Sequence, residues 1–249
     1  MILKAHVKQL LVIFFTGTIL SCNDGSKSNS SNVKDTIVGK TVSAPESVKE
    51  NTEISGNNID SIPNQIKYEG KIVDSKMWED KSGEHYVFIT QKNQGEYLSE
   101  NWLSKLNAYM FTKADTGFVV GWQVRDNASI SSEISYINKS LAIKDIDNDG
   151  EAEIWFFYSF SEDGADPMPL KMILYSKEKK LAIRGVIPRS ITDLTLYKRT
   201  IDAKGLNSEI ENFASKEWNK VATDEMKRLI GDDVTQSKDF PIKDNKYAH

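Results

Sequence analysis

The chain is short of the residues on which many enzymes and secreted scaffolds depend. Cys22 is the only cysteine among 249 residues, so no disulfide can form within the chain, and stability must come from core burial or a bound ion. Histidine is almost as scarce, with His6, His85 and His249 the three present. That excludes a His-rich zinc spacing, and any Ser-His-Asp or Cys-His arrangement would have to rest on His85, with no nucleophile elbow nearby. No P-loop and no dinucleotide-binding glycine pattern occurs. Positive charge is not in excess either: 32 Lys and Arg face 36 Asp and Glu, which argues against a nucleic-acid partner. No apolar run reaches the roughly 20 residues that a membrane-spanning helix needs. Finally, no aromatic residue lies between Phe15 and Tyr68, so that stretch cannot supply a core of its own.

What is present begins at the N-terminus. Lys4 and Lys8 precede the apolar run Leu10–Phe15, which polar Thr16, Gly17 and Thr18 interrupt. This is the layout of a signal peptide. The residues Ile19-Leu20-Ser21-Cys22 resemble the lipobox of bacterial lipoproteins, with an aliphatic residue three positions before the cysteine and a small one next to it. The resemblance implies removal of residues 1–21, lipid attached to Cys22, and a place in the cell envelope, held on a membrane by that lipid. An outer-membrane position is expected, facing either the periplasm or the surface. An ordinary signal peptide followed by a chance cysteine is the competing reading. Loss of Lys4 and Lys8 moves the formal net charge from −4 to −6.

Residues 22–65 are rich in Ser, Asn, Lys, Asp, Thr and Glu and read as a disordered tether, because so little apolar surface cannot offset the entropy of ordering. Asp35-Thr36-Ile37 and Asp60-Ser61-Ile62 resemble the Asp-Ser/Thr-aliphatic sites that some Gram-negative bacteria O-glycosylate. Thr36 and Ser61 are therefore candidate acceptors.

From about Ile66 the character changes, since all five Trp and all nine Tyr fall beyond it. Alternation marks strands at Tyr68–Val73, Tyr86–Thr90, Leu106–Phe111, Phe118–Val124, Ile154–Phe160, Leu170–Tyr175 and Leu181–Val186. Turn-forming stretches separate most of them, among them Asp80-Lys81-Ser82-Gly83 and Ala114-Asp115-Thr116-Gly117. The fold expected over residues 66–231 is mainly β, an antiparallel sandwich or a set of propeller-like hairpins. Ile154–Phe160 is apolar on both faces and belongs inside a sheet. Ser208–Ile230 has a helical period, with Ile210, Phe213, Trp218, Val221, Met226, Leu229 and Ile230 as core positions and Gly231 as the stop. Residues 232–249 form a charged tail.

One motif carries chemistry. Asp145, Asp147 and Asp149 alternate, Gly150 follows, and Glu151 and Glu153 come after it. Three carboxylates at alternate positions repel one another unless a cation sits between them, and the glycine allows the chain to fold tightly. Calcium takes six to eight oxygens at about 2.3–2.6 Å. The three aspartates would ligate by side chain, Glu151 by its backbone carbonyl and Glu153 as the closing carboxylate. The twelfth position is Phe156, where an EF-hand requires a bidentate Glu. Closure at the ninth position is similar instead to the calcium hairpins of FG-GAP and integrin-type propeller repeats. A solvated acidic turn is the alternative. A weaker echo stands at Asp80-Lys81-Ser82-Gly83, which also reads as a simple β-turn. His85, next to it, reads as a surface residue flanking a strand. The five tryptophans read as core or as a sugar-stacking platform.

Trp78-Glu79-Asp80, Gly83-Glu84-His85, the 145–153 loop, Asp166-Pro167-Met168-Pro169-Leu170-Lys171, Ile183-Arg184-Gly185 and Phe213-Ala214-Ser215-Lys216-Glu217-Trp218 together resemble a family of uncharacterised lipoproteins from Gram-negative bacteria, some labelled surface-polysaccharide biosynthesis. The resemblance covers about residues 68–220 and brings no catalytic residues. The reading carried forward is a lipid-anchored, non-enzymatic envelope protein, braced by one structural calcium ion and presenting a surface to a glycan or an envelope protein. An accessory enzyme of surface polysaccharide assembly is the second reading, and a secretion or surface-assembly helper the third.

Overall fold

A computed structural model describes residues 56–59, 62–162, 167–203 and 205–236. Cys22, Thr36 and Ser61 lie outside them, as do Asp166 and residues 237–249.

The described chain forms two antiparallel sheets. The first has the order β1-β2-β3-β4-β5, built from β1 (Asn57–Asn58), β2 (Lys71–Asp80), β3 (Gly83–Gln94), β4 (Leu103–Ala114) and β5 (Gly117–Asn127). The second runs β11-β10-β9-β8-β6, with β7 also paired to β8. Its strands are β6 (Ser132–Tyr136), β7 (Ala142–Lys144), β8 (Glu153–Glu162), β9 (Met168–Ser176), β10 (Lys179–Ile187) and β11 (Lys198–Asp202). The turns 80–83 and 114–117 join strands as the sequence predicts. Of the two expected β arrangements, stacked sheets are the one adopted.

β8 shows why the layers stack as they do. Ile154, Phe156 and Tyr158 face the first sheet and pack with Val87, Ile89, Leu106 and Ala108. Trp155 and Phe157 point the opposite way and join Leu170, Met172, Leu174, Leu181 and Ile183 beneath a helix. A strand buried on both faces reads as a near-continuous apolar run, here Ile154–Tyr158, and each such side chain stabilises the fold by roughly 1.5–3 kcal/mol.

That helix, α1 (Ser208–Ile230), has the bounds its sequence period predicts. Asn207 caps it by accepting the Ile210 N–H at 2.9 Å, and Gly231 ends it by donating to the Lys227 carbonyl at 2.8 Å. The buried face differs in part from expectation: Ile210, Trp218 and Met226 are buried, but Ala214 and Ala222 are too, whereas Phe213, Val221, Leu229 and Ile230 are only partly covered. The two alanines, with Trp218 between them, continue the buried stripe along this face. Gly185 on β10 is needed for the same contact, since a Cβ there would lie 2.3 Å from the Lys198 carbonyl oxygen and 2.8 Å from the Trp218 ring. Trp218 also donates its indole N–H to the Tyr197 hydroxyl at 2.7 Å. Beyond the helix, a 3-10 turn over Asp232–Gln236 buries Val234 against the same core.

Several sequence expectations shift. Tyr68 precedes the first long strand, which begins at Lys71 and continues to Asp80. The short strands β1, β6, β7 and β11 carry no strong alternation that would mark them in the sequence. Trp78, Trp155 and Trp218 are core residues; Trp102 and Trp122 are half-buried.

Candidate metal centre

The Asp145–Glu153 segment connects β7 to β8, and the hairpin closes by pairing Lys144 with Glu153, Ile143 with Ile154 and Ala142 with Trp155. Asn148 and Gly150 take positive φ, 54° and 84°. Glycine adopts such a conformation without cost and asparagine with little, so the chain can double back within a few residues. Phe156, at the twelfth position, is fully buried in the core, so it plays no part in ligation.

Folding the loop this way gathers the three aspartates. One carboxylate oxygen from each of Asp145, Asp147 and Asp149 lies within 4.8 Å of the others, a spacing that could hold a metal ion. Asp145 accepts the Asp149 N–H at 3.1 Å and the Gly150 N–H at 2.9 Å, which fixes its orientation. Asp149 accepts the Glu151 N–H at 2.9 Å, and Asp147 accepts the Asn207 side-chain amide at 2.9 Å. Glu151 places its carboxylate 3.4 Å from Lys81.

Glu153 is outside the three-aspartate set but faces it electrostatically. Its side chain is fully buried; Oε2 accepts the Ile146 N–H at 2.7 Å, while Oε1 has no partner. Asp147 Oδ1 is also buried without a partner. An orphaned buried carboxylate oxygen costs about 1–3 kcal/mol or more. Burial pushes the Glu153 carboxyl up to about 7; the Ile146 N–H and the Ser176 hydroxyl oppose this, and the negative charges of Asp147 and Asp149 add to it. A cation bound among the aspartates would satisfy the orphaned Asp147 oxygen and, by its charge, favour the ionised form of Glu153. The donor set is all oxygen, which suits a hard divalent ion.

No family model, curated protein or solved structure matches the chain.

The hairpin does not stand alone. The β2–β3 turn docks on it: the Lys81 N–H donates to the Gly150 carbonyl at 3.1 Å, the Lys81 ammonium to the Asp149 carbonyl at 2.6 Å, and the Ala152 N–H to Asp80 Oδ2 at 3.2 Å. Lys177, from the β9–β10 turn, pairs with the Asp149 carboxylate. Burial acts to raise the Asp149 carboxyl, but Lys177, the Glu151 N–H and Lys81 outweigh it and hold the group below its ordinary value. The sequence pointed to Asp80 only as an echo of the acidic loop. Lys177 and Asn207 gave no signal, because they reach the site only through tertiary packing.

His85 is the main correction among the site residues. It is not a surface residue: it is 3% exposed and stacks on Trp78 with ring centroids 4.9 Å apart. Nε2 lies 3.0 Å from both Asp80 Oδ1 and Ser82 Oγ, and Nδ1 lies 3.0 Å from Thr112 Oγ1. A Ser-His-Asp triad needs the serine and the carboxylate on opposite ring nitrogens. Here both meet the same one, so the cluster is a buried hydrogen-bonded network. Asp80 accepts five donors, from Trp78, Ser82 twice, His85 and Ala152. Burial would raise its carboxyl, yet the bonds from Ser82, Trp78 and Ala152 hold it down at about 2.

Proposed function

We propose that the protein is a lipid-anchored, non-enzymatic component of the cell envelope whose β domain is braced by one calcium ion and serves as a binding module. The observation that carries the calcium is the gathering of Asp145, Asp147 and Asp149 with Asp147 Oδ1 buried and unpartnered among them. Calcium supplies the missing partner and suits a flexible oxygen cage. Its role is structural, because the loop closes the hairpin that feeds β8 into both cores. FG-GAP-type repeats, to which the loop spacing is similar, use calcium in the same position of a hairpin.

The anchor reading rests on the signal-peptide layout and on Cys22 as the one cysteine. No described helix is long and apolar enough to cross a membrane, so attachment in this reading falls to lipid on Cys22. An acid–base enzyme would need a raised carboxyl at the wall of a cleft. Glu153 is the raised carboxyl among the described residues, and it is sealed in the interior, which favours the bracing role.

Melting the purified protein in calcium and in chelator tests the brace. At calcium about 100-fold above Kd, binding adds about 2.7 kcal/mol, or on the order of 5–10 °C for a domain of this size. Asp147→Ala should remove the rise. Metabolic labelling with radioactive palmitate tests the anchor: label should enter the wild type and be absent from Cys22→Ser.

A further inference from the structure

The outward face of the first sheet carries a feature that the acidic hairpin does not explain. Strand alternation puts Lys105, Asn107, Tyr109 and Phe111 of β4 on that face, and their cross-strand partners on β5 are Asn127, Arg125, Gln123 and Val120. With residues 65–69 as one wall and Phe118 at one end, they line an open groove of about 740 Å³. The groove is graded along its length. Lys105, Asn107, Arg125 and Asn127 make a polar, cationic end; Phe111, Phe118 and Val120 make an apolar one; Tyr109 and Gln123 lie between.

Two properties mark it as a place for a ligand. Asn107 is 5% exposed, and both its Nδ2 and the Nε2 of Gln123 are buried with no acceptor. The charges are also unbalanced. Among the described residues Lys67, Lys105 and Arg125 have no carboxylate within 4.0 Å; the one carboxylate in the lining, Glu69, is held by Lys92 at 2.8 Å and feels Lys105 and Arg125 only at longer range, so cations outnumber it. A positive groove on a chain of net charge −4 attracts anions that the rest of the surface repels.

We infer that this groove binds an acidic saccharide, with carboxylates at the Lys105–Arg125 end, hydroxyl oxygens taken by the Asn107 and Gln123 amides, and an apolar sugar face laid on Phe118 and the half-exposed Tyr68, which the buried Phe111 backs. Aromatic faces, planar amides and unpaired cations in one shallow trough match a ring that is apolar on its faces and rich in oxygen at its rim. An acidic peptide would use the cations and, through its carbonyls, the two amides, but a run of acidic side chains brings no apolar face to the aromatic end. The inference deepens the binding-module reading above and rests on it.

Calorimetric titration of the full protein in calcium uses three probes: a hyaluronan octasaccharide, a chitooligosaccharide of equal length and a short polyglutamate. Hyaluronan should bind at least tenfold more tightly than either control. Arg125→Glu and Lys105→Glu, each confirmed to melt like the wild type, should weaken it tenfold or more, and Phe118→Ala should weaken it several-fold. No binding at millimolar hyaluronan, affinity unchanged by both charge reversals, or polyglutamate bound as tightly as hyaluronan would each overturn the assignment, the last in favour of an acidic peptide. Repeating the titration with Asp147→Ala, below its melting temperature, separates this site from the brace. The groove lies on the sheet face turned away from the acidic hairpin, so saccharide affinity should persist there. Saccharide binding without calcium binding would sink only the brace, and calcium binding without saccharide binding only the groove.

Discussion

Asp80 and Ala152, 72 residues apart, join the two sheets, the Ala152 N–H donating to Asp80 Oδ2 at 3.2 Å. The same carboxylate holds Ser82, Trp78 and His85, so one side chain fixes both the β2–β3 turn and its seat on the acidic hairpin. Removing it strands several buried donors at once, and the penalty of an unsatisfied buried group is about 1–3 kcal/mol. Asp80→Ala should therefore destabilise the protein by about 2–4 kcal/mol in urea unfolding, whereas Glu69→Ala, which breaks an exposed pair with Lys92, should change little.

Asp80 also sets an acid limit. Its folded pKa of about 2 is below the ordinary 3.8, so its contribution is fully present above 3.8 and is lost as pH falls through about 2. Asp80→Asn should flatten the acid limb of a stability–pH curve over that window. An unchanged limb would show that the carboxylate is not held as described.

Glu153 works in the opposite direction when no metal is bound. Its folded pKa is raised from 4.5 to about 7, so the protonated form is the one the metal-free fold prefers. That contribution is full below 4.5 and is lost as pH rises through 7, by up to about 3 kcal/mol. In chelator, the wild type should thus lose stability between pH 4.5 and 7, and Glu153→Gln should not. Calcium should reverse the slope, since it needs the ionised form and its binding releases protons.

Much of this fold is legible in the sequence. Ile154–Phe160 declares a doubly buried strand because both of its faces are apolar, and Ser208–Ile230 declares a helix by period, cap and Gly231. The spacing of Asp145, Asp147 and Asp149 likewise predicts a cluster that the structure assembles. Other features depend on partners distant in the chain. Burial of His85 follows from Trp78, Asp80 and Thr112 converging on it, and no local pattern encodes that. β6 and β7 are short and mix polar with apolar residues, so pairing with β8 makes them strands. The groove has no local signature, because β4, β5 and the segment around Lys67–Glu69 form it together, with the pairing set by a register shift at Met110 and Phe111.

Lys177 occupies the Asp149 carboxylate and so competes with any ion for it. Lys177→Met should tighten calcium several-fold, read by titration against a fluorescent chelator. A weaker affinity in the variant would show that the lysine supports the loop instead of competing with the metal.

Gly185 tests the helix contact independently of the metal. A methyl group there collides with the Lys198 carbonyl and the Trp218 ring, and such overpacking costs about 1–3 kcal/mol. Gly185→Ala should lower the melting temperature equally in calcium and in chelator.

Calcium binding itself is measured most directly by calorimetric titration of the purified, chelator-stripped protein at pH 8, where Glu153 is ionised. One ion should bind per chain, with the heat lost in Asp147→Ala and much reduced in Glu153→Gln. No heat up to millimolar calcium, or equal binding by the wild type and Asp147→Ala, would contradict the proposal that the three aspartates and Glu153 close around a metal.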